Sequence, residues 1–169
     1  KLYEIRNKGS DKPIAFFYAD FFPRAGKYGH AAAFTLVSGR KLENGAYNYP
    51  VSSIVANFTP PADGKPSLLI HDEVETIFHE FGHIMHQTLT RAPYASLSGS
   101  STARDFVEAP SQMLENWVWS PEVLAMISGH YQDHSKKLPQ ALLERMLKVK
   151  DFQQGAAYTK QLLYASFDM

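Results

Sequence analysis

The chain has 169 residues, enough for one domain with a sizeable core, and sets 17 basic against 17 acidic side chains. That balance excludes an electrostatic case for nucleic acid or an anionic membrane as partner. The absence of cysteine excludes a disulfide framework and a thiolate zinc site, and agrees with a reducing compartment. No apolar run approaches the ~20 residues that span a bilayer, and the first residues show no signal-peptide core, so a cytoplasmic location is expected, with an organelle left open.

In chain order, residues 15–23 form a short aromatic run closed by Pro23 and read as a buried strand, followed by a turn around Arg24-Ala25-Gly26-Lys27. Residues 31–38 read as a strand because of Thr35 and Val37. Residues 41–49 are a polar loop with Asn44-Gly45 at its centre. The β-branched run 51–58, between Pro50 and Pro60-Pro61, is the clearest strand; it is either a sheet edge open to an extended peptide or an interior strand.

A long amphipathic helix is expected from His71 or Asp72, with Asp72 and Glu75 as a capping pair. Its apolar face comprises Val74, Ile77, Phe78, Phe81, Ile84, Met85 and Leu89. Residues 91–102 turn to Ser, Gly and Pro and read as a surface connector. A second helix is expected over 102–119, kinked just after Glu108 by Pro110. Ser120-Pro121 opens a short helix that Gly129 stops, His130 and His134 lie in an exposed link, and 139–149 and 152–167 read as two further helices.

Within the first long helix stands His79-Glu80-Phe81-Gly82-His83. Histidines four apart project from one side of a helix, one turn apart, so both imidazoles reach a single ion. A catalytic zinc takes three protein ligands and keeps a fourth position for water, whose pKa falls towards about 7. Glu80 sits about 100° round the helix from His79, off the metal axis and in reach of that water, so it reads as general base. His86 returns to the same face but lies ~10.5 Å along the axis from His79, too far to share the ion. A third ligand must come from elsewhere. No histidine follows within Gln87-Thr88-Leu89-Thr90-Arg91, whereas the segment 103–117 offers carboxylates at a distance that suits a helix, a loop and a return.

His79-Glu80-Phe81-Gly82-His83 followed by Asp105-Phe106-Val107-Glu108-Ala109-Pro110-Ser111-Gln112 resembles the zinc core of the thimet oligopeptidase and neurolysin family. The likeness extends to Gly29-His30-Ala31-Ala32-Ala33-Phe34 and to Pro50-Val51-Ser52-Ser53-Ile54-Val55-Ala56-Asn57-Phe58, and so covers most of the chain. The resemblance implies His79, His83 and Glu108 as ligands of one zinc per chain, and Glu80 as catalytic base. Asp105 and Gln112, one turn either side of Glu108, are candidates to hydrogen-bond a ligand histidine. Trp117 and Trp119 read as packing residues, and Glu115 as a solvated acid.

The expected fold is α+β and predominantly helical: a zincin-like core over 1–169, with a sheet-containing part at about 14–60, metal helices at about 71–119 and C-terminal helices at about 121–167. The expected reaction is hydrolysis of short peptides by a zinc-activated water. A dipeptidyl carboxypeptidase and a catalytically silent zinc and peptide binder are the alternatives. Lys1 in place of an initiator methionine, and a helical pattern running almost to Met169, suggest a piece of a longer protein, whose N- and C-terminal parts are then expected partners. The resembled family also steadies the oxyanion with tyrosine and histidine from a glycine-rich loop that has no match before Met169. Losing such donors costs ~10²–10³-fold each, so this chain alone is expected to hold zinc and cleave poorly.

Overall fold

A computed structural model describes residues 1–150 and 152–168. Their contacts divide the chain into two compact units, Lys1–Ser120 and Pro121–Met169. The fold is α+β, a small mixed sheet with helices.

In the first unit a four-stranded sheet has the order β1 (Leu2–Arg6), β2 (Pro13–Asp20), β6 (Val51–Val55), β3 (Ala32–Val37). Strands β1 and β2 run antiparallel, β2 and β6 parallel, and β6 and β3 antiparallel. Ala19, Ile54 and Ala33 fall in line across three strands. Because side chains alternate along a strand, this row and its neighbours two residues away share one face. Phe17 lies on that face and meets Phe81 edge-on at 5.8 Å, which makes it the face under the long helix α1 (His71–Thr88). The small side chains Ala15, Ala19 and Ser52 are buried there with Ile54, so helix and sheet approach closely.

The clearest strand of the sequence, β6, is therefore interior, and the sheet edges are β1 and β3. Two elements lie where sequence patterning marked none. Strand β1 adds to β2 through main-chain pairing, although its side chains are mostly exposed. The polar stretch 41–49 contributes to a minimal hairpin of β4 (Arg40–Lys41) and β5 (Tyr47–Asn48). Gly45, with φ of 81°, supplies its turn.

Lys27 fixes the segment leading into β3. Its buried ammonium donates to the carbonyl oxygens of Asp20 (2.9 Å), Phe22 (2.7 Å) and Ala56 (2.5 Å) and pairs with the Asp20 carboxylate at 3.2 Å. One cation thus ties the ends of β2 and β6 to the loop before the edge strand.

Helix α1 begins at His71, and its cap differs from the expected Asp72 and Glu75 pair. Glu73 is the N3 residue and its Oε2 accepts the Ile70 N–H at 3.0 Å, while Oε1 accepts the Thr59 N–H at 2.7 Å. Glu75 instead accepts Trp119 Nε1–H at 2.8 Å. Of the expected apolar face Ile84 is fully buried, whereas Phe81, Met85 and Leu89 remain exposed, since the sheet covers only part of the helix.

The second helix is also shorter than its pattern. Residues 103–108 form turns, with Phe106 and Val107 amides both on the Ala103 carbonyl, and α2 spans Ala109–Glu115 before a 3₁₀ turn at Asn116–Trp119. Pro110 falls in the first turn, where no amide donor is needed, so it starts the helix instead of kinking it.

The second unit holds α3 (Pro121–Ile127), α4 (Gln140–Lys150) and α5 (Gln154–Asp168). Among its described residues, the buried apolar ones are Leu124 and Leu143.

Candidate metal centre

One turn of α1 and the residue ahead of α2 make the site. His79, His83 and Glu108 each offer a ligand atom, and these atoms lie within 4.8 Å of one another. Glu108 Oε2 stands 3.4 Å from His79 Nε2 and 3.1 Å from His83 Nε2. A tetrahedral ion with bonds of about 2.0–2.1 Å separates its ligand atoms by roughly 3.4 Å. The two distances from Glu108 match that spacing, so the three side chains could hold one ion, and two imidazoles with a carboxylate are the donor set of open, catalytic zinc sites.

The close approach of the two helices comes from Gly82. A Cβ at this position would stand 2.5 Å from Ser111 Cα, 2.6 Å from the Pro110 carbonyl oxygen and 2.8 Å from Ser111 N. All three are backbone atoms, so no side-chain rotation could make room. The glycine between the histidines thus lets the start of α2 touch α1, and brings Glu108 across the gap.

Two side chains then hold the ligands in place. Ser111, fully buried, donates from Oγ to the Glu108 carboxylate at 2.7 Å. Glu115 Oε1 lies 2.5 Å from His79 Nδ1. A carboxylate there accepts a hydrogen bond from Nδ1–H and so fixes the tautomer in which Nε2, the nitrogen beside Glu108, is free to bind an ion. Glu108, Ser111 and Glu115 are spaced by three and four residues, the repeat of one helical stripe, and that stripe faces α1.

This arrangement departs from the sequence reading at three positions. The Asp105 and Gln112 side chains are exposed, and among the described residues neither makes a hydrogen bond to His79 or His83. Asp105 lies in the turns before α2, so the helical offset that would align it with Glu108 does not apply, and Gln112, one turn after Glu108, stays exposed. Glu115, read from sequence as solvated, occupies the position proposed for them. Its spacing from Glu108 was the available signal. His86 stays outside the cluster and packs near Phe106, with ring centroids 6.1 Å apart.

Glu80 is buried beside the triad at 6% exposure, and its Oε2 has no hydrogen-bond partner among the described residues. Burial raises its carboxyl pKa; Glu108 adds to the rise, while His79 and the Ala33 amide oppose it. Burial lowers the His83 pKa, against the pull of Glu108. For Glu108 the Ser111 hydrogen bond leads a net lowering, helped by both histidines and opposed by burial. A neutral imidazole and an ionised carboxylate are the forms that bind a metal, and raising a carboxyl pKa makes the group a better proton acceptor.

Triad and base open onto a cleft of about 400 Å³. Its far wall is the start of edge strand β3, from Ala31 to Ala33, and its end wall includes Gln87 and Ser100. The connector 91–102 therefore contributes to the site. No helix among the described residues is long and apolar enough to cross a membrane.

The thimet-like oligopeptidase of Dictyostelium discoideum is 48% identical over 170 residues, spanning 99% of this chain and 25% of that protein. Oligopeptidase A of Escherichia coli (strain K12) is 44% identical, over 99% of this chain and 24% of its own length. Dipeptidyl carboxypeptidase of the same organism is 41% identical, over 92% and 22% respectively. The chain thus spans about a quarter of the length of these curated relatives. The sequence model of peptidase family M3 matches residues 1–169 throughout, and the chain belongs to that family.

Proposed function

We infer that the protein is a zinc-dependent oligopeptidase, an endopeptidase acting on short peptides, and that this chain carries its catalytic core. The observation that carries the reading is the convergence of His79, His83 and Glu108 beside a buried Glu80 whose Oε2 lacks a hydrogen-bond partner among the described residues. A zinc ion, if bound, would be held by that triad and would supply Lewis acidity and an activated water.

The chain's own residues account for the rest. Glu80, whose carboxyl pKa is raised by burial, is placed to accept a proton from water at the site and to pass it to the departing amine. Glu115 and Ser111 keep His79 and Glu108 oriented while charge develops. Strand β3 offers unpaired main-chain groups along the cleft, and an extended peptide can pair with such an edge. Short peptides are thus the expected partners, together with the remaining parts of a longer parent chain; nucleic acid and membrane are not, given the neutral net charge. A cytoplasmic location accords with this reading.

A dipeptidyl carboxypeptidase is the second reading, supported by the 41% identity to one such relative. Blocking the substrate C-terminus separates them, since it abolishes release of C-terminal dipeptides and spares internal cleavage.

The first test is zinc content after dialysis, on the unsubstituted chain and on Glu108→Gln. About one zinc per chain, retained by the former and lost by the latter, supports the site. Folded protein that retains no zinc in either form overturns the reading.

A further inference from the structure

Gln87 is the most buried polar group of the cleft that the chemistry above leaves unused. It is 3% exposed, and its Nε2 donates to Ser100 Oγ at 3.1 Å. Its Oε1 is buried and has no hydrogen-bond partner among the described residues. A primary amide offers two donors and an acceptor with two lone pairs, and a buried acceptor without a partner is a cost that folded proteins rarely keep.

The surroundings hold this amide firmly at the cleft. Gly99 has φ of 57°, and a Cβ there would meet Gln87 Cα at 2.7 Å. The Ser98-Gly99-Ser100 turn is therefore pressed against α1 at Gln87, and Ser98, 3% exposed, is buried with it. Gln87 and Ser100 both line the same cleft as the triad and β3. Gln87 follows His83 by four residues, about 6 Å along the helix, and an extended peptide advances about 3.3 Å per residue. A peptide lying along β3 with its scissile carbonyl at the triad thus brings its main chain past Gln87 about two residues away.

On the basis of the peptidase reading, we propose that Gln87, oriented by Ser100, is a substrate-positioning residue that hydrogen-bonds the peptide main chain about two residues from the scissile bond. Rotation about the last side-chain torsion is soft and roughly two-fold, so the amide can present either its oxygen or its NH₂ while Ser100 serves the other. Recognition through an amide and a hydroxyl is indifferent to side-chain identity. It measures how far the peptide extends to one side of the bond that is cut.

The test uses the full-length protein that carries this chain, with Glu80→Gln to prevent turnover, in zinc-loaded and zinc-free forms. The probes are blocked alanine-glycine peptides of three to nine residues bearing an N-terminal fluorophore, and the readout is the dissociation constant. Gln87→Leu is expected to weaken peptides long enough to reach it by roughly 5–10-fold, in both metal forms, and to leave the shortest unaffected. Ser100→Ala, which removes only the tether, is expected to give the same length dependence at roughly 2–5-fold. Equal weakening at every length, or none, with zinc stoichiometry unchanged, overturns the assignment of Gln87 alone. Failure of the Glu80→Gln parent to bind any peptide overturns the peptidase reading and this inference with it.

Discussion

The two units of the chain treat their apolar residues differently. In Lys1–Ser120 the core is built from small and branched side chains, Ala15, Ile54, Ala56, Ile84 and Val118 among them, and the contacts between α1 and α2 are backbone-close. In Pro121–Met169 only Leu124 and Leu143 are buried among the described apolar residues, while Phe152, Leu162, Leu163 and Phe167 are exposed. The first unit makes a polar site by internal packing. The second presents apolar helix faces that its own residues leave uncovered. Substitutions should follow that division: those at contact points of the first unit act on metal binding, on stability or on both, and those on the open faces of the second act on neither.

The largest effect is expected at Gly82. An added methyl meets three backbone atoms at 2.8 Å or less, and the gain in helix propensity of about 1 kcal/mol cannot offset that overlap. Gly82→Ala should lower stability by a net ~1–3 kcal/mol and zinc affinity by roughly 100-fold or more, as α2 withdraws Glu108 from the histidines. Denaturant unfolding and a competitive zinc titration measure the two. Full zinc affinity in Gly82→Ala would mean that the helix contact does not set the site.

Glu115 comes next. Glu115→Gln keeps the side-chain shape and a hydrogen-bond acceptor but removes the charge beside His79 Nδ1. Zinc affinity should fall about 10–100-fold with little change in stability, and Glu115→Asp should recover part of it. A cobalt-substituted form should show an altered visible spectrum in the variant. Unchanged affinity and an unchanged spectrum would return Glu115 to the role of a solvated acid.

These two residues also mark where the sequence stops being legible. The spacing of His79 and His83 is a local property of one helix, and so is the off-axis place of Glu80; both can be read from five residues. Glu108 was reached through a longer resemblance, and the structure brings it to the histidines. The partner of His79 is 36 residues away, and depends on which stripe of α2 faces α1. That stripe in turn depends on where the helix starts. Reading Pro110 as interior to a helix over 102–119 extended it through residues 103–108, where the backbone turns instead, and placed Asp105 wrongly. The sheet shows the same limit: composition marks β6 as a strand, whereas its interior position follows from pairing with both β2 and β3.

A smaller effect, confined to stability, is expected at Glu73. Burial raises its carboxyl, but the amides of Thr59 and Ile70 and the Thr59 hydroxyl outweigh it, and the net pKa lies below the usual carboxylate value. A group lowered on folding contributes stability that is present above its unfolded pKa and lost as pH falls through the folded one. Glu73→Gln should therefore cost about 1 kcal/mol at neutral pH. The difference from the unsubstituted chain should shrink as pH falls below the ordinary glutamate range. Unfolding midpoints at pH 7 and pH 3 test this, and a gap that widens on acidification would reverse the assignment.

The smallest effect is expected on the open face of α5. Leu162 is 67% exposed, so replacing it removes little buried surface and opens no cavity, in contrast to a buried leucine, whose truncation costs about 2–5 kcal/mol. Leu162→Ser should shift stability by no more than about 0.5 kcal/mol, and leave the zinc dissociation constant of the chain unchanged. It should, however, reduce self-association at high concentration, because it interrupts a run of exposed apolar side chains with Leu163 and Tyr164. Sedimentation at rising concentration reads that change. A loss of several kcal/mol from this one substitution would show that the second unit, like the first, depends on packing of the face that Leu162 occupies.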